Sequence, residues 1–111
     1  MTAALALPSA DRIPQPSRHA NSAAVSFLRC VIRHESGMTR HPAKAENPRS
    51  SASGLFQMID GTWRHYAAHV PGARKYHHAS HAPASVQWDV GLLAVKWHGR
   101  GNWSGTGCPG S

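Results

Sequence analysis

The sequence predicts a small, mainly α domain preceded by a flexible N-terminal tail. Apolar residues recur at helical spacing, and segments rich in Gly, Pro and Ser separate the periodic stretches. With 111 residues, 41% of them hydrophobic and 15% charged, the chain is long enough for one domain and too short for two. Because no stretch approaches the roughly 20 apolar residues of a membrane-spanning helix, we expect no transmembrane segment.

The tail is predicted over residues 1–22 and the domain over 23–111. Residues 1–22 contain three prolines with Ser, Asn and Arg between them, and they lack an apolar period. The apolar run Thr2–Pro8 is short, and no Lys or Arg precedes it. It is therefore not a clean signal peptide, which leaves any export route open.

Three helices are predicted within the domain. The first covers 23–36, with Ser22 as its cap and Gly37 just past its end. Its apolar stripe consists of Val25, Leu28, Val31 and Ile32. After a loop at 38–54, a second helix is capped by Asp60 and continues through Ala67.

A histidine-rich connector at 74–82 leads to the last predicted helix. This helix begins near Pro83, since proline suits a first turn, and it ends at Gly99. One face carries Val86, Val90, Leu93 and Trp97. A glycine-rich loop is expected from there to Cys108.

The two cysteines, Cys30 and Cys108, lie near opposite ends of the predicted domain. Joined, they would close a loop of about 78 residues and stabilise the fold by about 4 to 5 kcal/mol in the chain-entropy model. Such a bridge would indicate an oxidising, extracytoplasmic setting. The alternative is a pair of unpaired buried thiols.

The net charge of +7 favours an anionic partner such as nucleic acid or a bacterial cell wall. The basic residues are dispersed rather than gathered on a recognition helix, so we expect no specific nucleic-acid binding. His65 and His69 have a spacing that can bind zinc. No acid or thiolate joins them in the sequence, which favours a solvated basic face and no metal or other cofactor.

Glu35 is the strongest candidate for a catalytic group. It follows Ile32 by three residues and Val31 by four, so it is predicted on the apolar stripe of the first helix. Desolvation and the negative end of the helix dipole both raise the pKa of a carboxyl group there. A raised pKa is what a general acid needs near neutral pH. The alternative is a solvated glutamate at a helix end.

Several motifs occur in a characteristic order. The first helix ends in Cys-Val-Ile-Arg-His-Glu-Ser-Gly at 30–37, followed by Asn-Pro at 47–48, Gly-Leu-Phe-Gln at 54–57 and Gly-Thr-Trp at 61–63. Over about 24–110 the chain resembles the lysozyme-like transglycosylase family of cell-wall enzymes, which includes the soluble lytic transglycosylase and resuscitation-promoting-factor groups. The resemblance implies a small lysozyme-like domain.

The resemblance also implies roles for individual residues. Glu35 matches the family's single catalytic acid/base, and Gln57 matches the cleft residue that hydrogen-bonds the glycan. Gly54 matches the glycine that keeps this turn close to the sugar, and Ser36 belongs to the Glu-Ser pair and is expected at the substrate. Many members place a tyrosine over the cleft late in the domain. Here Trp97 takes its place as a sugar-stacking residue or packs in the core.

The other tryptophans carry weaker expectations. Trp63 has core spacing, whereas Trp88 and Trp103 are less constrained by the pattern. Trp103 is expected to line a cleft or to cover the disulfide.

The sequence therefore predicts a monomeric, extracytoplasmic enzyme that cleaves the β-1,4 bond between N-acetylmuramic acid and N-acetylglucosamine. No second carboxylate is well placed, since Asp60 is predicted as a helix cap and Glu46 as a loop residue. This favours a lytic transglycosylase over a muramidase that uses water. A catalytically idle peptidoglycan-binding module and a His-rich metal or nucleic-acid binder remain as alternatives.

Overall fold

The computed structural model describes residues 21–109 together with position 16, and these residues form a mainly α domain. The predicted tail at 1–22 lies outside the described residues except for Pro16, Asn21 and Ser22. The helices are α1 (Ser22–Glu35), α2 (Asp60–Ala67) and α3 (Ala84–His98), with 3-10 helices at Pro42–Lys44, Ala79–His81 and Gly101–Thr106. Within 21–109, extended pairing is limited to isolated bridges around Ser53.

The apolar stripe of α1 is buried as predicted, at Val25, Leu28, Val31 and Ile32. The predicted cap is wrong by one residue. Asn21 caps the helix because its Oδ1 accepts a hydrogen bond from the Ala24 amide at 3.0 Å, whereas Ser22 is the first helical residue. At the other end, the amides of Ser36 and Gly37 both donate to the carbonyl of Ile32, at 2.9 and 2.6 Å.

Helix α2 has the predicted bounds, but Asp60 does not cap it. Ile59 is the N-cap residue and makes no side-chain capping bond. Asp60 is the first helical residue, and its amide donates to Ser51 Oγ at 2.9 Å. Its carboxylate is free to bind His78 instead.

Helix α3 begins after Pro83 and ends before Gly99, as predicted. Its buried stripe runs through Gln87, Gly91 and Ala94, so Val86, Leu93 and Trp97 lie on the flank. The core position expected for Trp97 is therefore wrong, since 43% of this residue is exposed. The expected loop beyond Gly99 contains the 3-10 helix at Gly101–Thr106.

Aromatic rings fill the centre of the domain. Trp63, Trp88 and Trp103 are all buried, which confirms the core position predicted for Trp63. The Phe56 ring makes edge-to-face contacts with Trp88 and Trp103, with centroids 5.3 and 5.9 Å apart. Because Phe56 belongs to the loop before α2, these contacts join that loop to α3 and the C-terminal segment.

The predicted disulfide is present. Cys30 on α1 is bonded to Cys108, which follows the last 3-10 helix. A link between residues 78 apart lowers the entropy of the unfolded chain, and the chain-entropy model assigns it about 4 to 5 kcal/mol. No helix in the described part of the chain has the length and apolar character needed to span a membrane.

One polar side chain in the core, Gln87, joins four segments. Its Oε1 accepts a hydrogen bond from the Leu55 amide at 2.8 Å. Its Nε2 donates to the carbonyls of Ala43 and Ala82, at 2.8 and 2.9 Å. Since Gln87 is 1% exposed, these bonds satisfy groups that water does not reach.

Replacing a helical glycine by alanine adds one methyl group, and two such changes test this packing. A Cβ at Gly91 would lie 2.6 Å from Phe56 Cε2, whereas a Cβ at Gly61 would meet nothing within 4 Å. We expect Gly91→Ala to lower the free energy of unfolding by about 1–3 kcal/mol through overpacking. The control Gly61→Ala should leave that free energy unchanged or raise it by up to about 1 kcal/mol. Equal urea denaturation curves for the two variants would contradict the packing described.

Candidate active site

Glu35 is the last residue of α1, and its side chain is exposed. The expected position on the buried stripe is therefore wrong, because the stripe ends at Ile32 and the chain turns at Ser36. Partial burial nevertheless raises the pKa of the Glu35 carboxyl group, and the neighbouring His34 offsets part of that rise. The site thus holds an accessible carboxyl group that keeps its proton to higher pH than an ordinary glutamate.

Ser36 fastens the end of α1 to the loop that contains Gln57. The Ser36 hydroxyl donates to the Leu55 carbonyl at 2.6 Å, and the residue is 2% exposed. The Ser36 carbonyl in turn accepts from the amide of Thr39 at 2.9 Å. The geometry gives Ser36 a positioning role, and its expected contact with substrate stays a prediction.

Gly54 is buried and has a left-handed backbone conformation, with φ at 79°. A Cβ at this position would clash with the carboxamide of Gln87 and would lie 3.3 Å from the Ala79 Cβ. Glycine is therefore required both by the turn and by the approach of Gln87. The resemblance predicts closeness to a sugar, whereas the structure gives closeness to Gln87.

Gln57 is the one non-glycine residue with positive φ among those described, at 51°. Its Nε2 donates to the carbonyls of Gly54 and Ala45, at 3.0 and 3.3 Å, and these bonds hold the left-handed conformation. Such conformations carry strain and occur often at functional sites. Because Nε2 is used by the fold, Oε1 is the atom of Gln57 that is left to accept a bond from a ligand.

An open pocket of about 240 Å³ lies beside Gln57. Its volume is below the roughly 300–1,000 Å³ of typical ligand pockets, which suits a group smaller than a drug-sized ligand. Its lining residues are Gln57, Met58, Ile59, Thr62, Asn102 and Trp103. Neither Glu35 nor Trp97 belongs to this lining.

Trp103 has the first of the two positions expected for it, and its cover of the disulfide stays a prediction. It lines the pocket, and it is also 4% exposed and packs against Phe27 with ring centroids 6.1 Å apart. Its Nε1 donates to the Phe56 carbonyl at 3.0 Å. Sequence reasoning missed the other polar lining residues, Thr62 and Asn102, because only the fold brings them to Gln57.

A second cluster that the sequence did not predict is centred on His78. Its Nδ1 lies 2.6 Å from Asp60 Oδ1, and its Nε2 lies 2.8 Å from Glu46 Oε1. The Ser80 hydroxyl also donates to Glu46. The hydrogen bond to Glu46 and the two nearby carboxylates raise the pKa of His78. The bond from Ser80, followed by His78, lowers the pKa of Glu46.

We name Glu46, Asp60, His78 and Ser80 the His78 cluster. It ties the loop before Gly54 and the start of α2 to the connector at 76–82. Both oxygens of Glu46 are engaged, and Asp60 holds the other ring nitrogen of His78. The carboxylates of the cluster therefore hold together the segments that surround the loop containing Gln57.

His65 on α2 and His69, in the turn that follows the helix, contact the exposed indole of Trp97. The ring centroids of His69 and Trp97 are 4.9 Å apart, and those of His65 and Trp97 are 6.3 Å apart. Among the described His, Cys, Asp and Glu residues, none joins this pair to make three closely spaced metal-ligand atoms.

The structure therefore brings together some predicted site residues and separates others. Ser36, Gly54 and Gln57 are linked through the loop at 54–57, and Glu35 precedes Ser36 directly. Trp97 lies with His65 and His69. No family model, curated protein or solved structure matches the chain.

The His78 cluster predicts a particular dependence of stability on pH. The raised pKa of His78 stabilises the fold below the ordinary value of 6.5 and ceases to do so as pH rises through the folded-state pKa. The lowered pKa of Glu46 stabilises the fold above the ordinary value of 4.5 and ceases to do so as pH falls through its folded-state pKa. The contribution of the cluster is therefore largest between about pH 4.5 and 6.5.

Urea denaturation from pH 4 to pH 9 tests this dependence in three proteins. We expect His78→Gln to be less stable than wild type at pH 5.5 and to show a smaller loss on going to pH 8. His77→Gln is the matched control, since His77 is the exposed neighbour of His78. Parallel curves for wild type and His78→Gln would show that the cluster does not govern the pH response.

Proposed function

We propose that this protein cleaves peptidoglycan at the β-1,4 bond between N-acetylmuramic acid and N-acetylglucosamine, with Glu35 as general acid/base. The observation that carries the proposal is the exposed Glu35 carboxyl group, whose pKa is raised by partial burial at the end of α1. An acid of this kind is protonated where an ordinary glutamate is ionised, which suits proton donation to a leaving oxygen.

The neighbourhood of Glu35 supports the same proposal. Ser36 binds the Leu55 carbonyl, and Gln57 follows two residues later at a pocket with both polar and apolar lining residues. An amide oxygen beside an open pocket suits the hydroxyl and acetamido groups of an uncharged sugar. The motifs at 30–37 and 54–57 resemble those of the lysozyme-like transglycosylase family, and we propose membership on that basis.

The reaction of that family follows from one carboxyl group. Glu35 donates its proton to the glycosidic oxygen, and the bond from that oxygen to C1 of the muramyl sugar breaks. The acetamido oxygen of the same sugar assists at C1. The Glu35 carboxylate then takes the proton of the muramyl 6-hydroxyl as its oxygen attacks C1, which closes a 1,6-anhydro ring. No water enters, and Glu35 regains its proton.

The remaining carboxyl groups favour this mechanism over hydrolysis. Glycosidases that use water ordinarily need a second carboxylate across the scissile bond. Glu46 and Asp60 both bind His78, so activating a water would compete with holding the fold. Asp89 is an exposed residue of α3 and does not line the pocket beside Gln57. A muramidase that uses Glu35 is the alternative.

An extracytoplasmic location fits the same proposal. The Cys30–Cys108 disulfide persists in oxidising compartments, where peptidoglycan is also found. The net charge of +7 favours association with an anionic wall. We therefore propose that the protein works as a monomer in the periplasm, at the cell wall or after secretion.

The proposal is tested by comparing wild type and Glu35→Gln in the release of soluble fragments from purified peptidoglycan. We expect the rate of release to fall by at least about 100-fold in the variant, the lower range for a missing general acid. Asp89→Asn is the matched control, because Asp89 shares the exposure and the raised pKa of Glu35 but lies on α3. It should keep wild-type activity. The wild-type rate should fall as pH rises through the pKa of Glu35, since the protonated acid is the donor.

Two outcomes would contradict the proposal. Equal activity of Glu35→Gln and wild type would remove Glu35 from the mechanism. Binding of wild type to peptidoglycan without release of any fragment would instead indicate an idle wall-binding module.

A further inference from the structure

Trp97 differs from the other tryptophans of the chain in its exposure. It is 43% exposed, whereas Trp63, Trp88 and Trp103 are 4% exposed or less. Leaving a large apolar side chain in water brings no folding benefit, so an exposed indole is informative when it lies in an ordered aromatic cluster.

The surroundings of Trp97 form such a cluster. The ring centroids of His69 and His65 lie 4.9 and 6.3 Å from that of Trp97, and the ring centroid of the buried Tyr66 lies 6.0 Å from it. We name Trp97, His65 and His69 the Trp97 surface. It joins α2 and the turn after it to the last turn of α3.

The charged residues next to His65 and Trp97 in the sequence are of one sign. Arg64 precedes His65 on α2, Lys96 precedes Trp97 on α3, and Arg100 follows shortly after. No Asp or Glu occurs between 61 and 88 or between 90 and 111. Within the described residues, both ion pairs belong to His78, so these cations are not neutralised by carboxylates. An exposed apolar ring in segments that carry an excess of positive charge is complementary to a ligand that is both cyclic and anionic.

The Trp97 surface is connected to the pocket beside Gln57. Asn102 lines that pocket, and its Nδ2 donates to the Tyr66 hydroxyl at 2.9 Å. The Tyr66 hydroxyl also lies 2.6 Å from His98 Nδ1. Because Tyr66 packs against Trp97, one hydrogen-bonded group borders both places.

We propose that the Trp97 surface is a second binding site for the peptidoglycan strand, separate from the pocket beside Gln57. A sugar ring lies on the indole, and carboxylates of the strand lie near Arg64, Lys96 and Arg100. The identity of the ligand rests on the proposed function, whereas the site itself rests on the geometry and charge of this surface. The site holds the protein on the insoluble wall.

Binding to insoluble peptidoglycan is the direct test, measured by co-sedimentation in the Glu35→Gln background so that the ligand is not cleaved. Added Trp97→Ala should weaken binding by about tenfold, as expected on loss of a central aromatic anchor. Trp97→Phe keeps an aromatic face and should retain most of the binding. Met38→Ala is the control, since Met38 is 92% exposed and lies outside this surface.

The charge requirement has its own pair of variants. The double change Arg64→Gln with Arg100→Gln should weaken binding to peptidoglycan and reduce its dependence on salt. Arg40→Gln with Lys44→Gln removes the same charge from the exposed loop before Glu46 and should bind as the parent does. The parent protein should bind uncharged chitin fragments more weakly than peptidoglycan fragments. The Arg64/Arg100 variant should bind the two kinds of fragment equally.

A measurement on the unsubstituted surface covers the case in which Trp97→Ala fails to fold. The indole N–H signal of Trp97, assigned by its loss in Trp97→Phe, should shift when soluble peptidoglycan fragments are added. The signals of the buried Trp63 and Trp88 should not shift.

The outcomes separate this proposal from the proposed function. Binding that depends on Trp97, together with no cleavage of peptidoglycan by the wild-type protein, would support the second site and contradict the enzyme. Cleavage with unchanged binding by Trp97→Ala and an unmoved Trp97 signal would overturn the second site alone. Displacement of peptidoglycan by duplex DNA, with equal loss of both in Trp97→Ala, would overturn it in favour of a nucleic-acid surface.

Discussion

The fold around the candidate site depends on the buried carboxamide of Gln87. This side chain binds the Leu55 amide with its oxygen and the carbonyls of Ala43 and Ala82 with its nitrogen. Removing it would leave the buried Leu55 amide and Ala82 carbonyl without these partners, each at a cost of about 1–3 kcal/mol, and would also free the partly buried Ala43 carbonyl. Its closeness to the backbone also explains why residue 54 is glycine.

The Gln87 anchor makes the loop at 54–57 a rigid element. The Leu55 amide is held by α3, the Leu55 carbonyl by Ser36 at the end of α1, and the Phe56 carbonyl by Trp103. Three separate parts of the chain therefore fix two consecutive residues. Gln57 follows directly, and this is why its strained conformation can persist beside the pocket.

The helices could be predicted from the sequence, whereas the residues that join them were harder to predict. The stripe of α1 and the bounds of α2 followed from local periodicity, and the separation of Cys30 from Cys108 was compatible with a bridge. Trp97 was misassigned because a flank and a core face differ by a small rotation of the helix, and only the packing partners decide between them.

The site was harder to predict than the fold because its contacts are long-range. Gln87 binds Leu55 across 32 residues, and nothing in a local pattern marks a polar residue in a helix as a buried anchor. The His78 cluster likewise joins the loop before Gly54 and the start of α2 to the connector, so Asp60 was read as a cap although its partner lies 18 residues away. Glu35 was found from its place at a helix end, but its exposure depends on where the chain turns.

The most direct test of the account is mass spectrometry of the products released from purified peptidoglycan under oxidising conditions. The account predicts fragments that end in 1,6-anhydromuramic acid with wild type and none with Glu35→Gln. Fragments with reducing ends would contradict the transglycosylase mechanism and indicate hydrolysis by water. Absence of any released fragment with wild type would contradict the central claim that Glu35 cleaves the glycan strand.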